Sequence, residues 1–375
     1  MIRHLIETFW KEEHLKRGYD LVYTPHIAGE RMYRRSGHLE KYADMMYAPM
    51  DIDGVNYYLK PMNCPGHYMI YQTATRSYRD LPIRLCELGT VYRYEPSGTL
   101  HGMLRVRGFT QDDAHTFCTP EQLPRELDLI LELMDFMMRS FGYTYKAYLA
   151  TRPEKYLGTV EEWERAIGAL RSALERRGLT YEIDEGGGVF YAPKIDIRLI
   201  DSMGREWQGP THQVDLQAAK RFGITYIGPD NAPHEPVVIH RTVLGSMERF
   251  VGGLIEHYAG AFPLWLAPDQ VRVINVSEKS AGYAREVYEA LRAAGLRAQI
   301  DLSADRPGPK KHRARQQRIP YILFVGEQEA EQSVVQVHGR SVERPDEYVL
   351  EGSPRLEQFI AACRDEIATK RIKGS

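Results

Sequence analysis

Cysteine is scarce in this chain, and long apolar runs are absent. The four cysteines, Cys64, Cys86, Cys118 and Cys363, lie far apart in 375 residues and form no CxxC pair, which excludes a disulfide scaffold and favours a reducing cytoplasm. No apolar run reaches the ~18 residues that a membrane-spanning helix needs, and no signal-peptide pattern opens the chain. We therefore expect a cytoplasmic protein that does not enter a membrane.

An excess of one charge is also missing. The 49 basic and 51 acidic residues leave a net charge of −2, so any nucleic-acid contact must come from local patches. Hydrophobic residues make up 43% and charged residues 27%, which excludes disordered and fibrous classes. At roughly 100–200 residues per domain, the length predicts two or three domains.

Three common catalytic motifs are absent from the sequence. No Walker-type phosphate loop occurs, because the run Gly186-Gly187-Gly188 is not followed by Lys and Ser or Thr; this run precedes a β-like segment and indicates a turn. No HExxH helix and no nucleophile elbow occur either. P-loop, zincin and α/β-hydrolase chemistry therefore have no basis in the sequence.

The order of predicted elements divides the chain into two regions. Over residues 1–267, β-like runs dominate and helices do not alternate with them regularly, which predicts an α+β domain with a mostly antiparallel sheet and flanking helices. Apolar residues at helical spacing predict two of these helices, over 127–141 and 163–178. From Val271 onward, strands and helices alternate, which predicts a separate small α/β domain within residues 268–375.

Arginine is dense around the predicted turn at Ser97–Thr99. Arg93 precedes this turn and Arg105 follows it, and the planar guanidinium group matches phosphate oxygens. Arg249, far downstream, is a candidate for a third clamp. On the residues alone, binding of a polyphosphate and pairing of surface arginines with local acids are equally supported.

Metal binding is a second open question. Cys64 lies in the segment MNCPGH, which we interpret as a tight Pro-Gly turn that exposes its sulfur, while His115 follows two acids and His240 ends an apolar strand. One Cys and two His would make a catalytic zinc site with one open position, although spacing does not join them and a packed thiol is the simpler interpretation of Cys64. We assign no site role to four other histidines, namely His4, His14, His38 and His257.

The chain resembles the threonyl-tRNA synthetases of bacterial type, a class II family, over essentially its whole length. Residues 2–27 resemble motif 1. Tyr92–Cys118 resembles motif 2 with RYEPSGTLHG and RVRGFTQDDAH, and His240–Trp265 resembles motif 3 with HRTVLGSMERF. MNCPGH is a family-specific signature. The resemblance implies a class II antiparallel catalytic sheet followed by an anticodon-binding α/β domain, with the chain starting after the usual N-terminal editing region.

The resemblance also implies a site, residue by residue. The implied zinc ligands, for one ion per subunit, are Cys64, His115 and His240. The implied ATP-binding residues, with Mg²⁺ on the nucleotide, are Arg93, Glu95, Arg105, Phe109, Gln208 and Arg249. The implied threonine-binding residues are Asp113, Gln111, Tyr191, Gln213 and Met62, with Lys194 as a weaker neighbour. The catalytic roles fall to Arg93, Arg249 and Gln111.

The implied reaction is ATP-dependent activation of L-threonine to threonyl-adenylate, followed by transfer to tRNA(Thr). It needs no side-chain nucleophile, so catalysis is positioning plus charge stabilisation. The open zinc position would take the amino and hydroxyl groups of threonine, so valine is rejected. Serine lacks only a methyl group, worth about 1–3 kcal/mol, and we expect serine mischarging. The implied assembly is a homodimer through the motif 1 region.

Some positions depart from the family pattern. His212 stands where the family has an aliphatic residue, and His338 stands where an Arg is common in the anticodon-binding domain. The weak candidates for tRNA contact are Lys310, Lys311, Arg313 and Glu329, and for each a solvated surface role is equally open. The departures in the anticodon-binding domain support an alternative, a paralogue that activates threonine for another acceptor or serves as a resistance or regulatory copy.

Overall fold

The computed structural model describes residues 1–201, 204–341 and 344–372. The chain forms two compact units, one of residues 7–253 and one of the described residues of 1–6 and 254–375. The division into 1–267 and 268–375 stays a prediction, and its last residues, 373–375, lie outside the described part. All four cysteines are free thiols. None of the helices in the described part has the length and apolarity needed to cross a bilayer.

Helices and strands follow one another in chain order. The helices are α1 (Ile2–Lys16), α2 (Glu30–Arg35), α3 (His38–Lys41), α4 (Cys64–Tyr71), α5 (Leu123–Ser140), α6 (Val160–Arg176), α7 (Ala218–Phe222), α8 (Met247–Tyr258), α9 (Ala281–Ala293), α10 (Pro307–Gln316), α11 (Glu327–Gln332) and α12 (Leu356–Ala368). The strands are β1 (Asp20–Leu21), β2 (Ile27–Gly29), β3 (Met50–Ile52), β4 (Val55–Leu59), β5 (Ile83–Tyr92), β6 (Gly108–Cys118), β7 (Thr144–Ala150), β8 (Tyr181–Asp184), β9 (Lys194–Ile200), β10 (Glu206–Asp215), β11 (Tyr226–Ile227), β12 (Pro233–His234), β13 (Val237–Thr242), β14 (Val271–Asn275), β15 (Ala298–Asp301), β16 (Tyr321–Val325), β17 (Gln336–Arg340) and β18 (Tyr348–Gly352).

The first unit is built on an eight-stranded sheet. Its strand order is β1-β5-β6-β13-β10-β9-β7-β8. The edge pairs β1–β5 and β7–β8 are parallel, and the five pairs between them are antiparallel. This arrangement confirms the predicted mostly antiparallel sheet. The long hairpin of β5 and β6 runs from the pair Ile83 and Phe117 to the pair Tyr92 and Gly108.

Two amphipathic helices, α5 and α6, pack against each other and against β7. The apolar stripe of α6, with Trp163 and Leu170, is buried. This helix begins with a capping box, in which Thr159 Oγ1 accepts from the Glu162 backbone N–H at 3.2 Å and Glu162 Oε2 accepts from the Thr159 N–H at 2.9 Å. Both predicted helices are therefore present, each a few residues longer at its start than the pattern indicated.

The segment around Cys64 differs from the prediction. It is not a tight turn that exposes the sulfur; Cys64 begins helix α4, and Pro65 lies in the first turn, where its missing N–H costs nothing. Gly66 lets this helix approach Thr24 closely, because a Cβ atom there would lie 2.4 Å from Thr24 Cγ2. The Pro-Gly pair therefore starts a helix here, and that helix brings Cys64 over the sheet.

The second unit contains a five-stranded sheet of order β15-β14-β16-β17-β18. The first three strands are parallel, as the alternating pattern predicts, and β17 and β18 add an antiparallel edge. Its core includes Val273, Leu291, Leu323 and Phe359. This is the predicted small α/β fold.

Candidate active site

The central strands bring distant residues to one face of the first sheet. Side chains alternate along a strand, so Gln111, Asp113 and His115 of β6 share a face. His240 of β13 lies directly opposite His115 in the register, and Gln213 of β10 lies directly opposite His240. The antiparallel pairing therefore joins residues that the sequence separates by about a hundred positions.

Cys64, His115 and His240 converge on a candidate metal site. One ligand atom from each lies within 4.8 Å of the others, and His115 Nε2 lies 2.9 Å from His240 Nδ1. Burial lowers the pKa of His115 well below its usual value, so the ring is neutral, as a metal ligand must be. Burial and the Asp113 charge raise the pKa of the Cys64 thiol, so its thiolate needs a nearby cation. This donor set fits a zinc ion with three protein ligands and one open position.

Each of the two histidines has a hydrogen-bond partner on the ring nitrogen that faces away from the candidate metal site. His240 Nε2 lies 3.1 Å from Asp215 Oδ2. His115 Nδ1 lies 2.7 Å from His67 Nδ1, and His67 Nε2 lies 3.1 Å from Glu87 Oε1. A metal on His115 Nε2 leaves the proton on Nδ1, so His115 donates to His67 and His67 donates to Glu87. Both ligand rings are then fixed by a carboxylate, one directly and one through a second imidazole.

A cleft of about 510 Å³ lies over this face. The predicted residues that line it are Met62, Cys64, Arg93, Glu95, Arg105, Phe109, Gln111, Asp113, Tyr191, Lys194, Gln208, Gln213, His240 and Arg249. His115 does not line the cleft; it lies fully buried beside Cys64 and His240. The structure thus brings together all the residues that the resemblance assigned to zinc, ATP and threonine.

Three arginines converge at one end of the cleft. The Arg93 guanidinium lies 5.2 Å from the centre of the Phe109 ring, and Arg249 Nε donates to the Leu104 carbonyl at 2.9 Å. Burial and the like charges of Arg105 and Arg93 lower the pKa of Arg249. Cations held this close repel one another, so this end of the cleft favours a polyanion.

Glu95 already has a partner in this end of the cleft. Arg105 donates from Nε at 3.1 Å and from Nη2 at 3.0 Å to the same oxygen, Glu95 Oε2. Oε1 is therefore the oxygen left to accept from a ligand amino group. The ion pair also fixes the Arg105 guanidinium beside Arg249, and the Glu95 charge offsets part of the repulsion between these two arginines.

The other end of the cleft carries the polar residues assigned to the amino acid. Asp113 Oδ2 accepts from Asn63 Nδ2 at 3.1 Å, and burial raises the pKa of Asp113 while this hydrogen bond opposes the rise. The Tyr191 hydroxyl donates to Gln213 Oε1 at 2.9 Å. The carboxylate of Asp113 thus faces the cleft with acceptor capacity that its own neighbours do not use up.

A smaller cavity of about 70 Å³ adjoins the cleft. It is lined by His38 and Tyr42 together with Cys64, Tyr191 and His240. Burial lowers the pKa of His38 to about 4, so its ring is neutral at physiological pH. Nothing in the local sequence around His38 indicates this position, because the neighbours come from distant elements.

The candidate tRNA-contact residues of the second unit have internal partners. Lys310 is almost fully buried, and its ammonium donates to Asn275 Oδ1 at 2.6 Å. Arg313 donates to both Asp301 and Asp305 at 2.7 Å. Neither cation is therefore presented to a phosphate without first losing these partners.

The two remaining candidates differ from each other. Lys311 Nζ lies 3.4 Å from His338 Nδ1 and 5.9 Å from the centre of the Phe324 ring. Glu329 Oε2 accepts from the Gly326 N–H at 2.9 Å and so caps the start of α11. Lys311 and His338 form a small basic pair, whereas Glu329 has a local structural role.

Comparison with known proteins matches both units. Residues 47–258 match the tRNA synthetase class II core domain (G, H, P, S and T), and residues 270–350 match an anticodon binding domain. Threonine–tRNA ligases from Caldanaerobacter subterraneus subsp. tengcongensis and Aquifex aeolicus are each 50% identical over 372 residues, 99% and 98% of this chain. The chain spans 57% of the length of each. A crystal structure of the RNA binding domain of threonyl-tRNA synthetase from Cryptosporidium parvum superposes with a TM-score of 0.91 and 37% identity, over 97% of this chain and 90% of that one.

Proposed function

The chain belongs to the threonyl-tRNA synthetase family of class II tRNA synthetases, and we propose that it activates L-threonine with ATP and transfers it to tRNA(Thr). The observation that carries this proposal is the convergence of Cys64, His115 and His240 at the wall of the cleft that three arginines also line. A metal-binding pocket beside a polyanion site suits a reaction between a small polar amino acid and ATP.

The nucleotide end works through charge. Arg93, Arg105 and Arg249 bind the phosphates with Mg²⁺, while Phe109 stacks on the adenine and Glu95 accepts from its amino group. The threonine carboxylate then attacks the α-phosphate, and pyrophosphate leaves. Because the arginines are already in place, they stabilise the charge that develops at phosphorus without further rearrangement.

The amino-acid end works through polar complementarity. Asp113 accepts from the threonine hydroxyl, and Gln111, Tyr191 and Gln213 line the pocket. Cys64, His115 and His240 would hold a zinc ion, which would supply coordination to the amino and hydroxyl groups of threonine. Valine has no hydroxyl to donate, so the buried carboxylate of Asp113 keeps the Asn63 amide as its donor and gains none from the substrate. The pocket therefore rejects valine far more strongly than serine.

Pyrophosphate exchange tests this function directly. We expect exchange that depends on threonine, and a loss of zinc content and of threonine-dependent exchange in Cys64→Ser. The matched control is Cys363→Ser, which changes a buried thiol in the second unit. A wild-type protein without zinc, or one that exchanges equally with valine and threonine, contradicts the proposal.

The second candidate function is a paralogue with a different acceptor. The buried Lys310 and the ion-paired Arg313 favour it, because they reduce the basic surface available to an anticodon stem. Aminoacylation of total tRNA beside pyrophosphate exchange distinguishes the two functions. Charging of tRNA(Thr) supports the first, and exchange without charging supports the second.

The remaining parts of the proposal concern organisation. We place the catalytic domain in residues 1–267 and the anticodon-binding domain in 268–375, with a homodimer formed through the motif 1 region and a cytoplasmic location. Light scattering of the purified chain tests the dimer. A monomer at micromolar concentration contradicts that part alone.

A further inference from the structure

Asp112 lies between two residues of the proposed site but on the other face of the sheet. Strand alternation directs Gln111 and Asp113 toward the cleft and Asp112 away from it. The Asp112 side chain is fully buried. A buried carboxylate is tolerated where several donors satisfy it, so its partners indicate its role.

Those partners are the main chain of one short segment. Asp112 Oδ2 accepts from the N–H groups of Val243 at 2.7 Å and Leu244 at 2.9 Å, and Oδ1 accepts from the N–H of Gly245 at 2.7 Å. The Asp112 N–H donates back to the Gly245 carbonyl at 3.0 Å. Gly245 has φ +79°, a conformation that favours glycine, so the segment bends sharply where the carboxylate holds it.

This segment leads directly into helix α8. Ser246 follows it, and its hydroxyl oxygen accepts from the Arg249 backbone N–H at 3.3 Å in the first turn of the helix. Arg249 then reaches over the cleft, where its side chain donates to the Leu104 carbonyl. The position of the Arg249 backbone therefore depends on the segment 243–245, and that segment depends on Asp112.

We propose that Asp112 is a positioning residue for the nucleotide, which holds residues 243–245 so that Arg249 meets the ATP phosphates. The proposal rests on the proposed function of the cleft. A displacement of about 1 Å at a phosphate-binding group lowers activity on the order of a hundredfold. The effect belongs to ATP, because Asp113 and Gln111 point to the other face and are left in place.

The first variant is Asp112→Asn. The amide oxygen still satisfies the donors on the Oδ2 side, but its NH₂ group then faces the Gly245 N–H, and that contact is lost. We expect kcat/KM for ATP in pyrophosphate exchange to fall about 10- to 100-fold, with the KM for threonine within twofold of wild type. The control is Trp10→Phe, which removes the remaining donor to Oδ2, at 3.0 Å, and leaves the loop contacts intact. It should keep the wild-type KM for ATP.

A double-mutant cycle shows whether Asp112 acts through Arg249. In an Arg249→Ala background, Asp112→Asn should lower kcat/KM for ATP less than twofold, because the side chain that Asp112 positions is absent. The proposal is overturned if Asp112→Asn lowers kcat/KM for ATP by the same factor in the wild type and in Arg249→Ala. It is also overturned by a folded Asp112→Asn variant with a wild-type kcat/KM for ATP.

The loss of negative charge beside the buried Arg241 could prevent Asp112→Asn from folding. Asp112→Glu keeps the charge but moves the carboxylate by one methylene, and we expect the same ATP-specific defect. If neither variant folds, the residue is structural and the proposal fails. If the wild type shows no threonine-dependent exchange, the proposed function fails instead, and the affinity for ATP in equilibrium binding still tests Asp112.

Discussion

Replacing Glu87 by glutamine should weaken zinc binding about tenfold, although Glu87 touches no metal ligand. Glu87 is buried and lies two hydrogen bonds away from the site, behind His67 and His115. Burial acts to raise the pKa of Glu87, but the hydrogen bond from His67 and the Lys60 charge lower it overall. The carboxylate is therefore ionised, and its charge supports the proton order that leaves His115 Nε2 free for a metal.

The loss of zinc affinity should depend on which group behind His115 is changed, the Glu87 carboxylate or the His67 ring. Glutamine keeps an oxygen that accepts from His67, so the tautomer survives, while the negative charge is lost and the Thr24 N–H no longer has Glu87 Oε2 as its acceptor. A tenfold loss of zinc affinity corresponds to about 1.4 kcal/mol. His67→Leu also removes the acceptor for His115 Nδ1–H, which leaves a buried donor unpaired. We expect His67→Leu to lower the affinity for zinc about a hundredfold.

The assay is competition for zinc with a chromophoric chelator at pH 7.5, with zinc content measured by mass spectrometry. The matched control is Glu126→Gln, because Glu126 is equally buried and its carboxylate accepts from Arg84 at 2.6 Å, away from the site. It should lower stability but leave zinc affinity unchanged. The reasoning is refuted if Glu87→Gln and His67→Leu both fold and bind zinc within twofold of wild type.

Three further predictions concern stability and specificity. His212→Ile should raise the free energy of unfolding by about 1–3 kcal/mol at pH 7, since both ring nitrogens of this buried side chain have no hydrogen-bond partner in the part of the chain described. Burial lowers the pKa of His212 to about 3, so between pH 6.5 and pH 3 the unfolded wild type binds a proton that the folded wild type does not. The stability advantage of His212→Ile should therefore grow as the pH falls through this range, and equal urea midpoints for wild type and variant at pH 7 and at pH 5 contradict the prediction. The 375-residue chain should form seryl-tRNA(Thr) at saturating serine and no valyl product, and a threonine-only product on acid gels speaks against the pocket as described. Leu170→Ala in the buried face of α6 should lower the free energy of unfolding by about 2–5 kcal/mol with the KM for ATP unchanged, as denaturant melts and exchange kinetics will show.

Periodic elements are predictable from the sequence, and short ones are not. Helix α6 has a long apolar stripe and a capping box at Thr159, so both its presence and its approximate limits follow from local pattern. Helix α4 has eight residues, too few for a period to be recognised, and its Pro-Gly pair is equally typical of a turn. The local pattern at Cys64 was therefore misleading, while the same letters served as a family signature.

The site follows from the sequence only through that resemblance. His115 and His240 are 125 positions apart and meet because β6 and β13 pair in a particular register, which no local pattern determines. The residues behind them, such as His67 and Glu87, were missed for the same reason. For Asp112 a signal exists: in a strand, the middle residue of Gln111-Asp112-Asp113 must point away from its two neighbours.

That alternation also explains how three consecutive polar residues are tolerated in the middle of a central sheet. Asp112 receives three main-chain N–H groups and an indole N–H, so its acceptor sites are filled within the protein and its loop is fixed, although burial raises its pKa to about 6. Asp113 receives one neutral amide N–H from Asn63, so most of its acceptor capacity is not used within the protein. A carboxylate in that state gains from a further donor. In the proposed function, the hydroxyl of threonine would supply this donor on the cleft face. The same strand would then fix a loop on one side of the sheet and select the substrate on the other.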